Sequence, residues 1–235
     1  MTRALAYDSV VEHRPRFLDH GLPANGVLTV DDLHALPEDP WWKYELLSGT
    51  LILTSDYRSF TWDDLQTFPD DPHWKYEVID GALLVTPNAP GLAHQSCAGS
   101  LYLMFRAVCP PHLKVVIAPF EYKPEGELSV QPDIMIARRP VGEKLLTQTP
   151  LLVVEVLSKR TKKMDLTLKR SLYESRGVEH CWIVDPAVDH GGPSIEAPRL
   201  VNGGYEIAAK ADAGQMFEVS EPVALSFDPA VLLDE

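Results

Sequence analysis

Two carboxylates sit inside apolar, strand-like runs of this chain: Asp133 in Val130-Gln131-Pro132-Asp133-Ile134-Met135-Ile136 and Glu155 in Leu151-Leu152-Val153-Val154-Glu155-Val156-Leu157-Ser158. An isolated ionised carboxylate is costly to bury, so each must find a cation or several hydrogen-bond donors. Two acids on neighbouring strands are also the smallest protein set that holds Mg²⁺, a hard cation that takes oxygen ligands and keeps several waters. The chemistry on offer is therefore metal-assisted hydrolysis, against a plainer reading in which Asp133 accepts backbone or Arg hydrogen bonds and Glu155 forms a buried ion pair.

The segment after Glu155 adds cations. Between Arg138 and Arg170 nine basic residues face three acids, a local balance of +6 in a chain whose total is −13, so the remainder carries −19. Within this island Lys159, Arg160, Lys162 and Lys163 are candidates for gripping nucleic-acid phosphates. A helix is expected from Thr161 to Ser175, closed by Gly177, and on it Asp165, Lys169 and Tyr173 fall at i, i+4 and i+8, one stripe that can face the strand ends. Asp165 to Lys169 is also an ordinary favourable helix pair, acid before base. Otherwise Lys169 supplies a cation to offset charge on a phosphate oxygen or to orient a water.

Those residues need a scaffold, and the expected elements alternate. A helix runs from His94 to Val108 with Leu101, Phe105 and Val108 on one face and Pro110-Pro111 after it. Strands are expected at Lys114 to Phe120, around Asp133, around Glu155 and at Cys181 to Val184. Edge strands follow near Arg199 to Ala209, turning at Asn202-Gly203-Gly204, and at Met216 to Phe227, while Ala187 to Pro198 reads as a loop. This is an α/β pattern with a mixed sheet.

The N-terminal part repeats itself. Residues 28–54, LTVDDLHALPEDPWWKYELLSGTLILT, recur at an offset of 32 as FTWDDLQTFPDDPHWKYEVIDGALLVT, identical at fourteen of twenty-seven positions. Each unit reads as a Thr-capped short helix with an Asp pair in its first turn, a Pro-rich break and a hairpin turning at Ser48-Gly49 or Asp80-Gly81. Two copies are too few for a solenoid. The expected division is an extension over 1–58 carrying the first copy and a main domain over 59–235.

Other constellations carry less. Cys97, Cys109 and Cys181 are odd in number and widely spaced, which argues against a disulfide framework or a zinc knuckle. His94 and Cys97 lie one helical turn apart, but no third residue orients the imidazole, so a packed helix cysteine is the better account. No apolar stretch reaches membrane-spanning length and Met1 to His20 has no signal-peptide core, so cytoplasmic residence without a membrane partner is expected.

Taken in order, Tyr76-Glu77-Val78-Ile79-Asp80-Gly81, His94, Pro132-Asp133, Val154-Glu155-Val156-Leu157-Ser158, Thr161, Asp165, Lys169, Tyr173, Gly177-Val178 and Trp182-Ile183-Val184-Asp185-Pro186 resemble the Uma-type family of restriction-endonuclease-like proteins, within the PD-(D/E)XK nuclease superfamily. The resemblance spans about residues 60 to 230. It implies a central mixed sheet flanked by helices and a DNA-cleaving site with Asp133 and Glu155 on Mg²⁺ or Mn²⁺. It also implies catalytic roles for Lys169 and Glu77, with His94, Asp165 and Tyr173 as accessories. Two departures stand out: the E-x-K lysine position is Leu157, so Lys169 must supply that cation or none is present, and the first repeat copy offers Glu45 as a rival to Glu77. Cutting both strands of DNA needs two sites and so suggests a homodimer. Without the E-x-K lysine, a catalytically inactive binding or assembly module is the alternative.

Overall fold

The computed structural model describes residues 14–88, 90–158, 165–186 and 191–233, the side chains of residues 165 and 166 excepted. The chain divides into two compact units, residues 1–89 with 125–130, and residues 90–124 with 131–235.

In the first unit a short helix α1 (Phe17–His20) precedes two similar stretches. Helix α2 (Val30–Ala35) leads to strands β1 (Lys43–Leu47) and β2 (Thr50–Thr54); helix α3 (Trp62–Leu65) leads to β3 (Trp74–Ile79) and β4 (Ala82–Pro87). Both helices start at a reciprocal cap. The Thr29 and Thr61 hydroxyls accept the Asp32 and Asp64 amides, and those aspartates accept the threonine amides, each at 2.8 Å. The hairpins turn at Ser48-Gly49 and Asp80-Gly81, all four residues with positive φ, as a two-residue turn matched to strand twist requires. At Gly81 a side chain is excluded twice over: its φ is +78°, and a Cβ would lie 2.6 Å from that of Ser59.

The two hairpins join through their inner strands. β2 and β4 run antiparallel with Ile52 opposite Leu84, residues 32 apart in sequence, so equivalent positions meet across the middle of the sheet. The core repeats in the same way: Leu28 and Phe60, Trp42 and Trp74, Leu51 and Leu83, Leu53 and Val85 are all buried in one cluster, with Trp42 stacked on Phe60 at 3.9 Å between ring centres. A short strand, Leu128–Ser129, closes the far side by pairing with β3. The boundary expected at residue 58 thus runs through one sheet, because β2 before it bonds to β4 after it. Removing the second cap in Thr61→Ala is expected to lower stability by about 1 kcal/mol, read as a lower urea midpoint at unchanged slope.

The second unit holds a six-stranded mixed sheet. Its strands are β5 (Leu113–Ile117), β6 (Ile134–Arg138), β7 (Leu152–Val156), β8 (His180–Asp185), β9 (Ser194–Val201) and β10 (Gly204–Asp212), in spatial order β10-β9-β8-β7-β6-β5. Only β7 and β8 run parallel. That pair needs a long crossover, and helix α5 (Arg170–Ser175) lies in it. Helix α4 (Leu92–Val108) packs Cys97, Leu101 and Phe105 on one sheet face, against Ile134, Ile136, Leu152, Val154, Val156, Trp182 and Val184.

Some expected elements differ in detail. Val108, the last residue of α4, is 43% exposed although it follows Leu101 and Phe105 at helical spacing. The strand expected to reach Phe120 ends at Ile117, where a cis Ala118-Pro119 bond follows. Ser194 to Pro198, read as loop, is the start of β9 and pairs with β8 and β10. In the helix expected over 161–175, residues 161–164 lie outside the described part, residues 165–169 form a π-helical turn, and only Arg170–Ser175 is α-helical.

Candidate active site

The two acids sit just past the end of one ladder. β6 and β7 are antiparallel, and their last pair is Val154 with Ile134; Glu155 is the next residue on β7, and Asp133 is the bend residue directly before β6. Their partners come from different helical segments. The Oδ2 atom of Asp133 accepts the Val156 amide at 2.7 Å and lies 3.3 Å from Nε2 of His94, near the start of α4. The Asp133 side chain thereby takes over where the main-chain ladder between β6 and β7 ends.

Glu155 is 3% exposed and alternates away from the Val154 and Val156 side chains that enter the α4 core. Its Oε1 atom accepts the Tyr173 hydroxyl at 2.5 Å and lies 3.4 Å from Nζ of Lys169. The spacing of four residues brings both side chains to the same carboxylate. Their anchor is the end of α5. The Gly177 amide donates to the Glu174 carbonyl, and the Val178 amide donates to the Tyr173 carbonyl, a left-handed glycine cap that buries Val178 beside it. Leu157, at the E-x-K lysine position, is buried and apolar, and its amide goes to Val184. The cation beside Glu155 is therefore Lys169, buried to 5% exposure.

Nearby thiols are fully buried, and burial favours their protonated form. Cys181, on β8 opposite Val153, has its thiol pushed far up by burial, with the Glu155 charge adding to the effect. Cys97 is pushed up to about 11, first by burial and then by the Asp185 charge, so the His94 and Cys97 pair holds a packed thiol rather than a thiolate.

The remaining expected residues divide as follows. Glu77 belongs to the first unit, 1% exposed on β3 with Nζ of Lys75 at 3.5 Å, whereas Glu45 at the equivalent place on β1 is exposed. Asp165 is in the π-helical turn, and its side chain lies outside the described part, as do Lys159, Arg160, Lys162 and Lys163. Sequence reasoning missed the amide of Val156, whose role becomes visible only once the register of β6 on β7 is known.

Among the described residues no group of three or more His, Cys, Asp and Glu side chains is gathered to hold a metal. Carboxylates are nonetheless the donor type that suits Mg²⁺, which binds through one or two acids and fills its other positions with water and phosphate oxygens. Among the described residues no helix is long and apolar enough to cross a membrane.

Comparison with known proteins bears on the fold and the family. A solved structure of a putative nuclease belonging to DUF820, from Anabaena variabilis, is 19% identical, with a TM-score of 0.51 over 63% of this chain and 83% of that one. That likeness establishes the fold, a restriction-endonuclease-like mixed sheet with flanking helices. No curated protein matches the chain. The profile of the Uma2 family, described as putative restriction endonuclease, matches residues 62–231, so the chain belongs to the Uma2 family.

Proposed function

We propose that this protein is a metal-dependent endonuclease that hydrolyses DNA phosphodiester bonds. The observation that carries the reading is that Asp133 and Glu155 directly follow the last pair of the ladder between β6 and β7, with Nζ of Lys169 at 3.4 Å from Glu155. Asp133 and Glu155 would hold Mg²⁺ or Mn²⁺, with His94 and Tyr173 steadying the carboxylates. A cation there supplies polarisation of the scissile phosphate and a more acidic bound water. Lys169 offsets the negative charge that builds on the phosphate oxygens, the part an E-x-K lysine would otherwise play. Glu77 and Asp165 are further acids in this reading. Lys159, Arg160, Lys162 and Lys163 follow Glu155 closely in sequence and would grip backbone phosphates, giving affinity without sequence choice.

Nicking or linearisation of supercoiled plasmid with Mg²⁺ or Mn²⁺ is the test. Asp133→Ala and Glu155→Ala are each expected to abolish it, and undiminished cutting by either variant removes the assignment. One observation favours a second reading, an inactive binding module: the Lys169 and Glu155 pair is buried as a purely structural ion pair would be. Calorimetric titration with Mn²⁺ separates the two. Binding lost in Asp133→Asn supports the enzyme, and absence of binding in the parent chain supports the module.

A further inference from the structure

The first unit's sheet is finished on one side and not on the other. β3, its outer strand on one side, pairs with β4 and also with Leu128–Ser129. β1, the equivalent strand 32 residues earlier, pairs with β2 alone among the described residues. In a hairpin with a two-residue turn the residues flanking the turn, here Leu47 and Thr50, are the first hydrogen-bonded pair. Lys43, Glu45 and Leu47 therefore direct their main-chain groups toward β2, while Tyr44 and Leu46 direct theirs to the outer edge. Side chains alternate as well: Tyr44 and Leu46 pack against the unit's core, and Lys43, Glu45 and Leu47 are exposed. Large apolar groups stand at both ends of the strand, with Trp41 and Leu47 each 42% exposed.

We propose that two copies of this chain join along β1, antiparallel, about a two-fold axis through Tyr44. In that register Tyr44 meets its own counterpart with outward main-chain groups aligned. Lys43 lies opposite Glu45 of the second copy, and Glu45 opposite its Lys43. Trp41 and Leu47 then cover each other at both ends. The neighbouring registers in which outward groups still align are less favourable; an axis through Leu46 sets Glu45 against Leu47 and leaves no charge pair. An axis through Lys43 sets lysine against lysine, and one through Glu45 sets glutamate against glutamate, where like charges directly opposite destabilise. An edge strand protected against self-association carries charges or prolines that repel a copy of itself. Here the two charges have opposite signs and are two residues apart; Nζ of Lys43 also lies 2.7 Å from Asp56 of its own chain, but that pair is largely exposed and can exchange partners, so the exposed face is complementary to itself. The partner is thus a second copy, and the two five-stranded sheets become one of ten strands. The inference does not depend on the hydrolytic reading.

Sedimentation velocity of the full chain, without metal or nucleic acid, tests the register. The parent chain is expected to dimerise reversibly with concentration. Lys43→Glu and Glu45→Lys alone each turn both attractive pairs repulsive and should weaken the dimer about ten- to a hundredfold. An equimolar mixture of the two single variants restores opposite charges at both positions and should form a heterodimer, and the double variant Lys43→Glu/Glu45→Lys should dimerise like the parent. Both side chains are exposed, and the mixture shows that each variant is folded. A parent chain that stays monomeric, single variants that dimerise as well as the parent, or a mixture that stays monomeric would each overturn the proposal.

Discussion

Glu155→Ala in a chain that keeps Lys169 is expected to lose about 3–5 kcal/mol of folding stability, because it leaves a buried ammonium with no opposing carboxylate. The pair is 3.4 Å apart, with side chains 6% and 4% exposed, so water cannot take over solvation of the orphaned charge. Tyr173 would also lose the acceptor of its hydroxyl. Removing both charges in Glu155→Gln/Lys169→Met should be much milder than the sum of the single changes, since neither group is then left buried and alone. Urea unfolding of the four chains gives the coupling directly. Additive losses would mean that the two groups do not sense each other, and the geometry around Glu155 would need another explanation. The same set interprets the plasmid assay, since an inactive Glu155→Gln/Lys169→Met double variant with near-parental stability locates the loss in chemistry and not in folding.

Lys169→Met separates metal binding from catalysis. The variant keeps Asp133 and Glu155, so Mn²⁺ affinity should be retained or improved once the competing ammonium is gone. Cleavage should fall about 10²- to 10³-fold, the usual cost of removing one group that stabilises developing charge. Single-turnover cleavage measured beside calorimetry reads both quantities. Cutting that persists within a few-fold of the parent would reduce Lys169 to a structural counter-charge. That result would leave the E-x-K position without a substitute, since Leu157 is apolar and buried.

How far these residues were legible in the sequence depends on the range of the interaction. Lys169 and Tyr173 are four apart on a helical pattern, and local geometry alone brings them to one face; both reach Glu155. The reciprocal caps at Thr29 and Thr61 and the turns at Gly49 and Gly81 were equally local and equally readable. Register was not. Nothing in Val130 to Ile136 or Leu151 to Ser158 says which residue opposes which, so neither the pairing of Val154 with Ile134 nor the hydrogen bond from the Val156 amide to Asp133 could be read in advance. Val108 shows a further limit: periodicity places it on the stripe of Leu101 and Phe105, yet as the last residue of α4 it is 43% exposed. Glu45 and Glu77 make the same point, two equivalent glutamates in nearly identical words of sequence, one on an outer strand and exposed, the other buried.

The hydrogen bond between Asp133 and the Val156 amide occupies one of the several acceptor positions of that carboxylate. A group that displaced the amide would leave it buried and unpaired, at a cost of roughly 1–3 kcal/mol. One that took a remaining lone pair would leave it in place. The amide thereby holds the carboxylate in one orientation and decides which of its edges stays open.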